Sequence, residues 1–173
     1  LSVAFRFGNN MIKDSDIELD KLGVQLNYHF HLTRYFLGYN PNRLIDVSTT
    51  IGVGYQKAKV WRNSAESVYG MLGLRNTVRL SNRMHLALEP YMLIGTSGYN
   101  GMPDGDAISD YNASYGVGLS LIYTLKNELR GIALDEKPMF DRHYMFFEGG
   151  TQSIVSDIKL SENYGRYLSL GYG

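Results

Sequence analysis

The stretch Gly23-Val-Gln-Leu-Asn-Tyr-His-Phe-His-Leu32 decides the fold of this chain. Its even-numbered residues, from Val24 to Leu32, are all aliphatic or aromatic, whereas its odd-numbered residues are glycine, amides and histidines. Side chains of a β-strand point to opposite faces of the sheet with a period of two. The stretch is therefore predicted to be a strand with one apolar face and one polar face.

The same alternation recurs along the chain and predicts eight strands. They lie near residues 2–8, 21–32, 44–58, 67–80, 84–97, 111–125, 143–154 and 164–173. Several are longer than the roughly five to six residues that are usual for strands of globular proteins. We predict an all-β protein: an antiparallel transmembrane β-barrel with eight visible strands, or part of a larger barrel.

The composition of the polar faces indicates which face lies inside the barrel. They carry mainly Gly, Ser, Thr, Asn, Gln and His, while almost all lysines lie between the predicted strands. A surface that faces water would carry many Lys and Glu, as in the alternative of a soluble barrel with an apolar interior. We therefore predict a polar lumen and an apolar outer face. This places the protein in the bacterial outer membrane, with the lipid bilayer and lipopolysaccharide as partners and other outer-membrane proteins as candidates for a complex.

Composition excludes several other classes. The 173 residues form one predicted domain, and because both ends fall within strand-like runs we expect a fragment of a longer chain. The 17 basic residues equal the 17 acidic ones, which speaks against a nucleic-acid partner. The absence of cysteine excludes disulfides and thiolate sites. No apolar run approaches the roughly 20 residues of a transmembrane helix.

The hairpin predicted from strands 67–80 and 84–97 has a specific residue pairing that a structure can test. A three-residue turn at 81–83 pairs Leu80 with Met84, and continuing the pairing places Arg75 opposite Glu89. Both side chains lie on the predicted inner face. We predict an ion pair in the lumen, because a buried charge needs a partner. Pro90 cannot donate a hydrogen bond to a closed sheet, so we expect a bulge there.

Aromatic residues lie near several predicted strand ends, where Tyr and Trp rings favour the lipid headgroup level. The predicted girdle consists of Tyr28, Tyr55, Trp61, Tyr111 and Tyr123.

The predicted connections differ between the two rims. Polar loops at 9–20, 61–66 and 97–106 share one rim, and the short turn at 81–83 lies at the other. The segment 126–141 is long where a short turn is expected, and 128–134 could form a short helix.

Candidate catalytic and metal sites are weak in this sequence. His29 and His31 share a strand face at a spacing that fits a metal pair, but no further ligand can be assigned. Asp104-Gly-Asp106 with Asp110 lacks the full spacing of a calcium loop. No serine lies in a sharp-turn motif and no triad is evident. We therefore predict no catalytic residue, no metal, no cofactor and no enzymatic activity.

Three segments resemble the OmpA-like outer-membrane β-barrel proteins of the Bacteroidota. They are Phe36-Leu-Gly-Tyr-Asn-Pro-Asn-Arg43, the segment from Gly73 to Glu89-Pro90 within the predicted hairpin, and Gly116-Val-Gly-Leu-Ser-Leu-Ile-Tyr-Thr-Leu-Lys126. The resemblance implies an outer-membrane barrel and no catalytic residues. The expected function is a structural or accessory-subunit role in the outer membrane. The alternatives are a porin-like passage for small solutes and a barrel enzyme that acts on lipid or peptide.

Overall fold

The computed structural model describes residues 1–12, 18–40, 43–60, 63–96, 111–125, 143–155 and 163–173. Eight antiparallel strands form one closed barrel in which each strand pairs with its neighbours in sequence and the first pairs with the last. The strands are β1 (Ser2–Ile12), β2 (Glu18–His31), β3 (Ile45–Val60), β4 (Asn63–Arg79), β5 (Met84–Thr96), β6 (Tyr111–Thr124), β7 (Tyr144–Val155) and β8 (Asn163–Tyr172). The predicted fold class is confirmed, and the barrel closes with these eight strands.

The two faces of the sheet are arranged as predicted. Along β2, Val24, Leu26 and Tyr28 are exposed on the outer wall, while Gln25 and Asn27 are buried in the lumen. The same exposed belt of Val, Leu, Ile, Met, Phe and Tyr side chains continues around the barrel. Such a belt outside a closed sheet fits a hydrocarbon environment, which offers no hydrogen-bond partner to an open edge. Among the described residues, no helix is both long and apolar enough to cross a membrane.

The predicted hairpin register is confirmed. Arg79 pairs with His85, and the backbone N–H of Leu80 donates to the carbonyl of Met84. The expected bulge at Pro90 is wrong. The pairing of β4 with β5 is interrupted between Gly73 and Asn76 but resumes in the same register, so neither strand gains a residue. The interruption lies opposite Pro90, which has no N–H to donate.

The two rims differ in their connections. At the turn rim, β2 joins β3, β4 joins β5 and β6 joins β7. The connections β1–β2, β3–β4, β5–β6 and β7–β8 lie at the opposite end, the loop rim. The turn rim contains a short helix that the sequence did not predict, α1 (Leu32–Leu37). At the loop rim, the predicted polar loop at 61–66 is wrong from residue 63 onward, because β4 begins there and pairs with β3. The loop predicted at 9–20 is wrong at both ends, because β1 continues to Ile12 and β2 begins at Glu18. The loop predicted at 97–106 and the helix predicted at 128–134 lie outside the described residues.

Candidate functional site

The centre of the lumen holds a buried charge network. Arg75 on β4 donates from Nε and Nη2 to the same Glu89 oxygen on β5, at 2.7 and 2.6 Å. Its Nη2 also lies 3.5 Å from Glu148 of β7. Glu148 accepts hydrogen bonds from Ser120 at 2.6 Å and from Tyr167 at 2.7 Å. The structure thus brings the predicted lumen pair together and adds a second carboxylate that the sequence did not connect to it.

A second layer fills the lumen towards the loop rim. The Arg6 guanidinium lies 3.7 Å from the centroid of the Tyr167 ring and 4.9 Å from that of Tyr91. It also donates a 2.6 Å hydrogen bond to the Tyr91 hydroxyl. The cavity beside these rings has a volume of only about 10 Å³. Described side chains therefore occupy the lumen at both levels, as expected for an eight-stranded barrel.

Close ring packing explains why several inward positions are glycine. A Cβ atom on Gly54 would overlap the Tyr69 ring, and one on Gly150 would overlap Tyr167. Each glycine pairs directly with the ring-bearing residue on the neighbouring strand, Gly54 with Tyr69 and Gly150 with Tyr167, so the large ring can lie over the backbone of the glycine's strand.

The turn rim brings together a serine, a histidine and a threonine from three adjacent strands. Ser2 Oγ on β1 lies 3.0 Å from His29 Nε2 on β2, and His29 Nδ1 lies 3.1 Å from Thr50 Oγ1 on β3. Ser2 and Thr50 are buried, and His29 is half-buried. A serine hydroxyl on one imidazole nitrogen and an orienting partner on the other is the arrangement that activates a nucleophile.

A second histidine lies next to this group. His31 Nδ1 is 3.1 Å from Asp46 Oδ2, and Arg34 of α1 lies 3.4 Å from the same oxygen. Both members of the His31–Asp46 pair are partly exposed, so this histidine is oriented by a carboxylate and reachable from the rim. The chain's other two histidines, His85 at the start of β5 and His143 just before β7, also belong to this rim.

The pairing of Ser2 with His29 was missed by sequence reasoning. Ser2 and His29 are 27 residues apart, and their contact depends on the register of β1 with β2, in which Ser2 pairs with Asn27. The sequence did contain one signal: the alternation places both Ser2 and His29 on the polar, lumen-facing side of their strands. The two histidines considered as a metal pair instead contact different partners, and the described residues contain no group of three potential metal ligands.

The predicted aromatic girdle is described only in part. Tyr28, Tyr55 and Tyr123 all face outward and are 52%, 48% and 42% exposed. Tyr55 also interacts with Glu66 across the strand pair near the loop rim. Trp61 and the side chain of Tyr111 lie outside the described residues.

These features define a transmembrane β-barrel of the outer-membrane type with a packed lumen. No family model matches the chain, and no curated protein matches it. Among solved structures, the chain is similar to the crystal structure of the outer membrane enzyme PagL, with a TM-score of 0.54 and 12% identity over 99% of this chain and 97% of that one. At this identity the likeness establishes the shared fold alone. The predicted location in the bacterial outer membrane agrees with that fold and with the apolar belt.

The same comparison corrects one expectation. The sequence led us to predict that the protein is not an enzyme, yet a barrel of the same fold is described as an outer membrane enzyme. Absence of a catalytic sequence motif is therefore no ground for excluding catalysis on this scaffold. Function has to be argued from the site itself.

Proposed function

We propose that this barrel is an outer-membrane enzyme that hydrolyses an acyl ester of a membrane lipid at its turn rim. The proposal is carried by the hydrogen-bonded group of Ser2, His29 and Thr50. The fold is compatible with catalysis, as the similar enzyme barrel indicates. The packed lumen supports it indirectly, because the described side chains leave little room for the porin-like alternative. We also propose that the chain is one of the OmpA-like barrels of the Bacteroidota, on the strength of the three sequence segments that resemble them.

The geometry assigns a role to each residue. Thr50 Oγ1 accepts a hydrogen bond from the N–H of His29 Nδ1, which leaves Nε2 unprotonated and able to take the proton of the Ser2 hydroxyl. Ser2 Oγ then attacks the ester carbonyl carbon, and His29 passes the proton to the leaving alcohol. Water attacks the acyl-serine with His29 again as base, which releases the fatty acid and regenerates the Ser2 hydroxyl.

The surroundings of this group favour a lipid over a peptide. Helix α1 follows directly after His31 and exposes Tyr35, Phe36 and Leu37, each at least 70% accessible. Its Thr33 hydroxyl donates to the carbonyl of Val47, which fixes the helix against β3. Exposed aromatic and aliphatic side chains at a rim lie at the membrane interface. The ester groups of phospholipids lie at that same depth, next to the histidines.

The proposal is tested on the whole purified barrel in mixed phospholipid micelles. The measurement is fatty acid release, followed by mass spectrometry, together with covalent labelling of Ser2 by a fluorophosphonate probe. Ser2→Ala and His29→Gln should each lower release by at least about 100-fold, since each removes a reacting group. Ser2→Ala should also abolish labelling.

Two matched substitutions serve as controls. Ser64→Ala removes an exposed serine at the loop rim, and His143→Gln removes an exposed histidine at the turn rim that is outside the proposed group. Both should keep wild-type activity. Heat-dependent gel mobility verifies that every variant forms a closed barrel. A folded wild-type barrel that neither releases fatty acid nor reacts with the probe overturns the proposal, as does full activity in Ser2→Ala.

A further inference from the structure

The outer wall near the loop rim contains a groove of about 970 Å³. It crosses five consecutive strands, from β7 through β8, β1 and β2 to β3. Gly149 on β7 faces outward within it and contributes no side chain, which leaves the wall open beside Leu168. The groove lies on the membrane side of the sheet, separate from the packed lumen and at the opposite end of the barrel from the Ser2 group.

Two parallel rows of outward side chains line this groove, and they differ in polarity. The row nearer the middle of the barrel contains Leu168, Phe7 and Leu22, which pair with one another across β8, β1 and β2. On β3 this row ends at Lys57, which lies 3.4 Å from Glu66. The next row towards the rim is polar. In register across the strands it contains Thr151, Arg166, Asn9, Asp20 and Lys59. The groove therefore lies at the boundary between the apolar belt and the aqueous side.

Two cations of the polar row are available to a ligand. Arg166 and Lys59 are exposed, and within the described part of the chain neither has a hydrogen-bond or ion-pair partner. The one carboxylate of this row, Asp20, accepts a 3.1 Å hydrogen bond from the Asn9 amide. Three strand spacings separate Arg166 from Lys59, which is about 14 Å at the usual distance between neighbouring strands.

We propose that this groove binds a phosphorylated lipid of the outer leaflet, of the lipopolysaccharide class. The acyl chains lie along Leu168, Phe7 and Leu22, and the separated phosphates pair with Arg166 and Lys59. An apolar row on β8, β1 and β2, flanked by two cations that have no partner among the described residues, is complementary to a lipid that carries several chains and more than one phosphate. Occupancy would orient the loop rim towards the outer leaflet. The inference is independent of ester hydrolysis at the turn rim.

Binding of lipopolysaccharide to the purified barrel in detergent micelles tests this proposal, with affinity measured by titration and stoichiometry by native mass spectrometry. The double variant Arg166→Gln, Lys59→Gln should weaken binding by at least about tenfold, because two charge-assisted contacts are lost. Arg83→Gln, which removes an exposed cation at the turn rim, should change affinity less than about twofold by the same reasoning. Chemically dephosphorylated lipopolysaccharide should bind the wild-type barrel as weakly as the intact lipid binds the double variant.

A second substitution tests the apolar half of the groove. A Cβ atom at Gly149 would lie 3.4 Å from its nearest neighbour, the flexible Leu168 side chain. Gly149→Leu should therefore fold and fill the groove, and it should weaken both intact and dephosphorylated lipopolysaccharide. Equal affinity of the wild-type barrel and the double variant refutes the proposal. Complete displacement by millimolar inorganic phosphate also refutes it, because a simple anion site would not need the acyl chains.

Discussion

Replacing Arg75 by methionine should destabilise the barrel more than replacing Glu89 by glutamine. Arg75 is the one cation that the structure places against both Glu89 and Glu148. Its loss leaves two buried carboxylates without a counter-charge, and breaking a buried pair in this way costs about 3 to 5 kcal/mol. Glu89→Gln keeps a side chain of the same shape, and Arg75 retains Glu148. Glu89→Gln replaces the charged hydrogen bonds between Arg75 and Glu89 by weaker ones, which should lower the free energy of unfolding by about 1.5 to 3 kcal/mol.

The measurement is reversible urea unfolding in phospholipid vesicles, followed by the fluorescence of the single tryptophan. The double variant Arg75→Met, Glu89→Gln completes a double-mutant cycle. Its loss of unfolding free energy should differ clearly from the sum of the two single losses, because the two side chains are in contact. The matched control is Arg83→Gln at the exposed turn, which should leave stability nearly unchanged. The reasoning fails if Arg75→Met costs no more than Glu89→Gln, or if the two effects are additive.

Three further predictions concern the packed lumen. Gly54→Ala should destabilise the barrel by about 1 to 3 kcal/mol because its Cβ overlaps the Tyr69 ring. The control Gly70→Ala should unfold at the same urea concentration as the wild-type barrel, because its Cβ meets nothing closer than 4.0 Å. Arg6→Lys should cost about 1 to 2 kcal/mol in the same assay, since an ammonium cannot stack on Tyr167 as a planar guanidinium does. In planar bilayers the wild-type barrel should show no steady conductance, and regular single-channel steps would contradict a filled lumen.

The fold could be predicted because lipid imposes a strict pattern on the chain. Within the membrane, outward residues are mostly apolar and inward residues pack in a narrow lumen, so alternation persists over whole strands. The hairpin around 81–83 could even be given its register, because a short turn permits few pairings. This is how Arg75 and Glu89 could be placed opposite each other from the sequence.

Prediction was less successful where strands leave the lipid. The rim end of the β3–β4 hairpin extends beyond the apolar belt, and its outward residues, among them Lys59, Ser64 and Glu66, are polar. The alternation of polar and apolar residues therefore disappears although the backbone pairing continues, and the sequence pattern predicts a loop at residues 63–66. Helix α1 was missed for a related reason: six residues are too few to establish a helical period.

The proposed Ser2 site could not be predicted from the sequence for a similar reason, because it depends on strand pairing. Ser2 and His29 meet only because β1 and β2 adopt one register. The connection predicted between those strands, at 9–20, is too long to dictate a register from sequence as the turn at 81–83 does. The lumen charges, by contrast, are engaged with one another: Arg75 with two glutamates, and Glu148 with Ser120 and Tyr167. Reaching a ligand would require those groups to abandon buried partners at high cost. Chemistry on this barrel is therefore expected at its rims and outer wall. There half-buried His29, partly exposed His31 and the exposed cations Arg166 and Lys59, which have no partner in the described part of the chain, can meet molecules from outside.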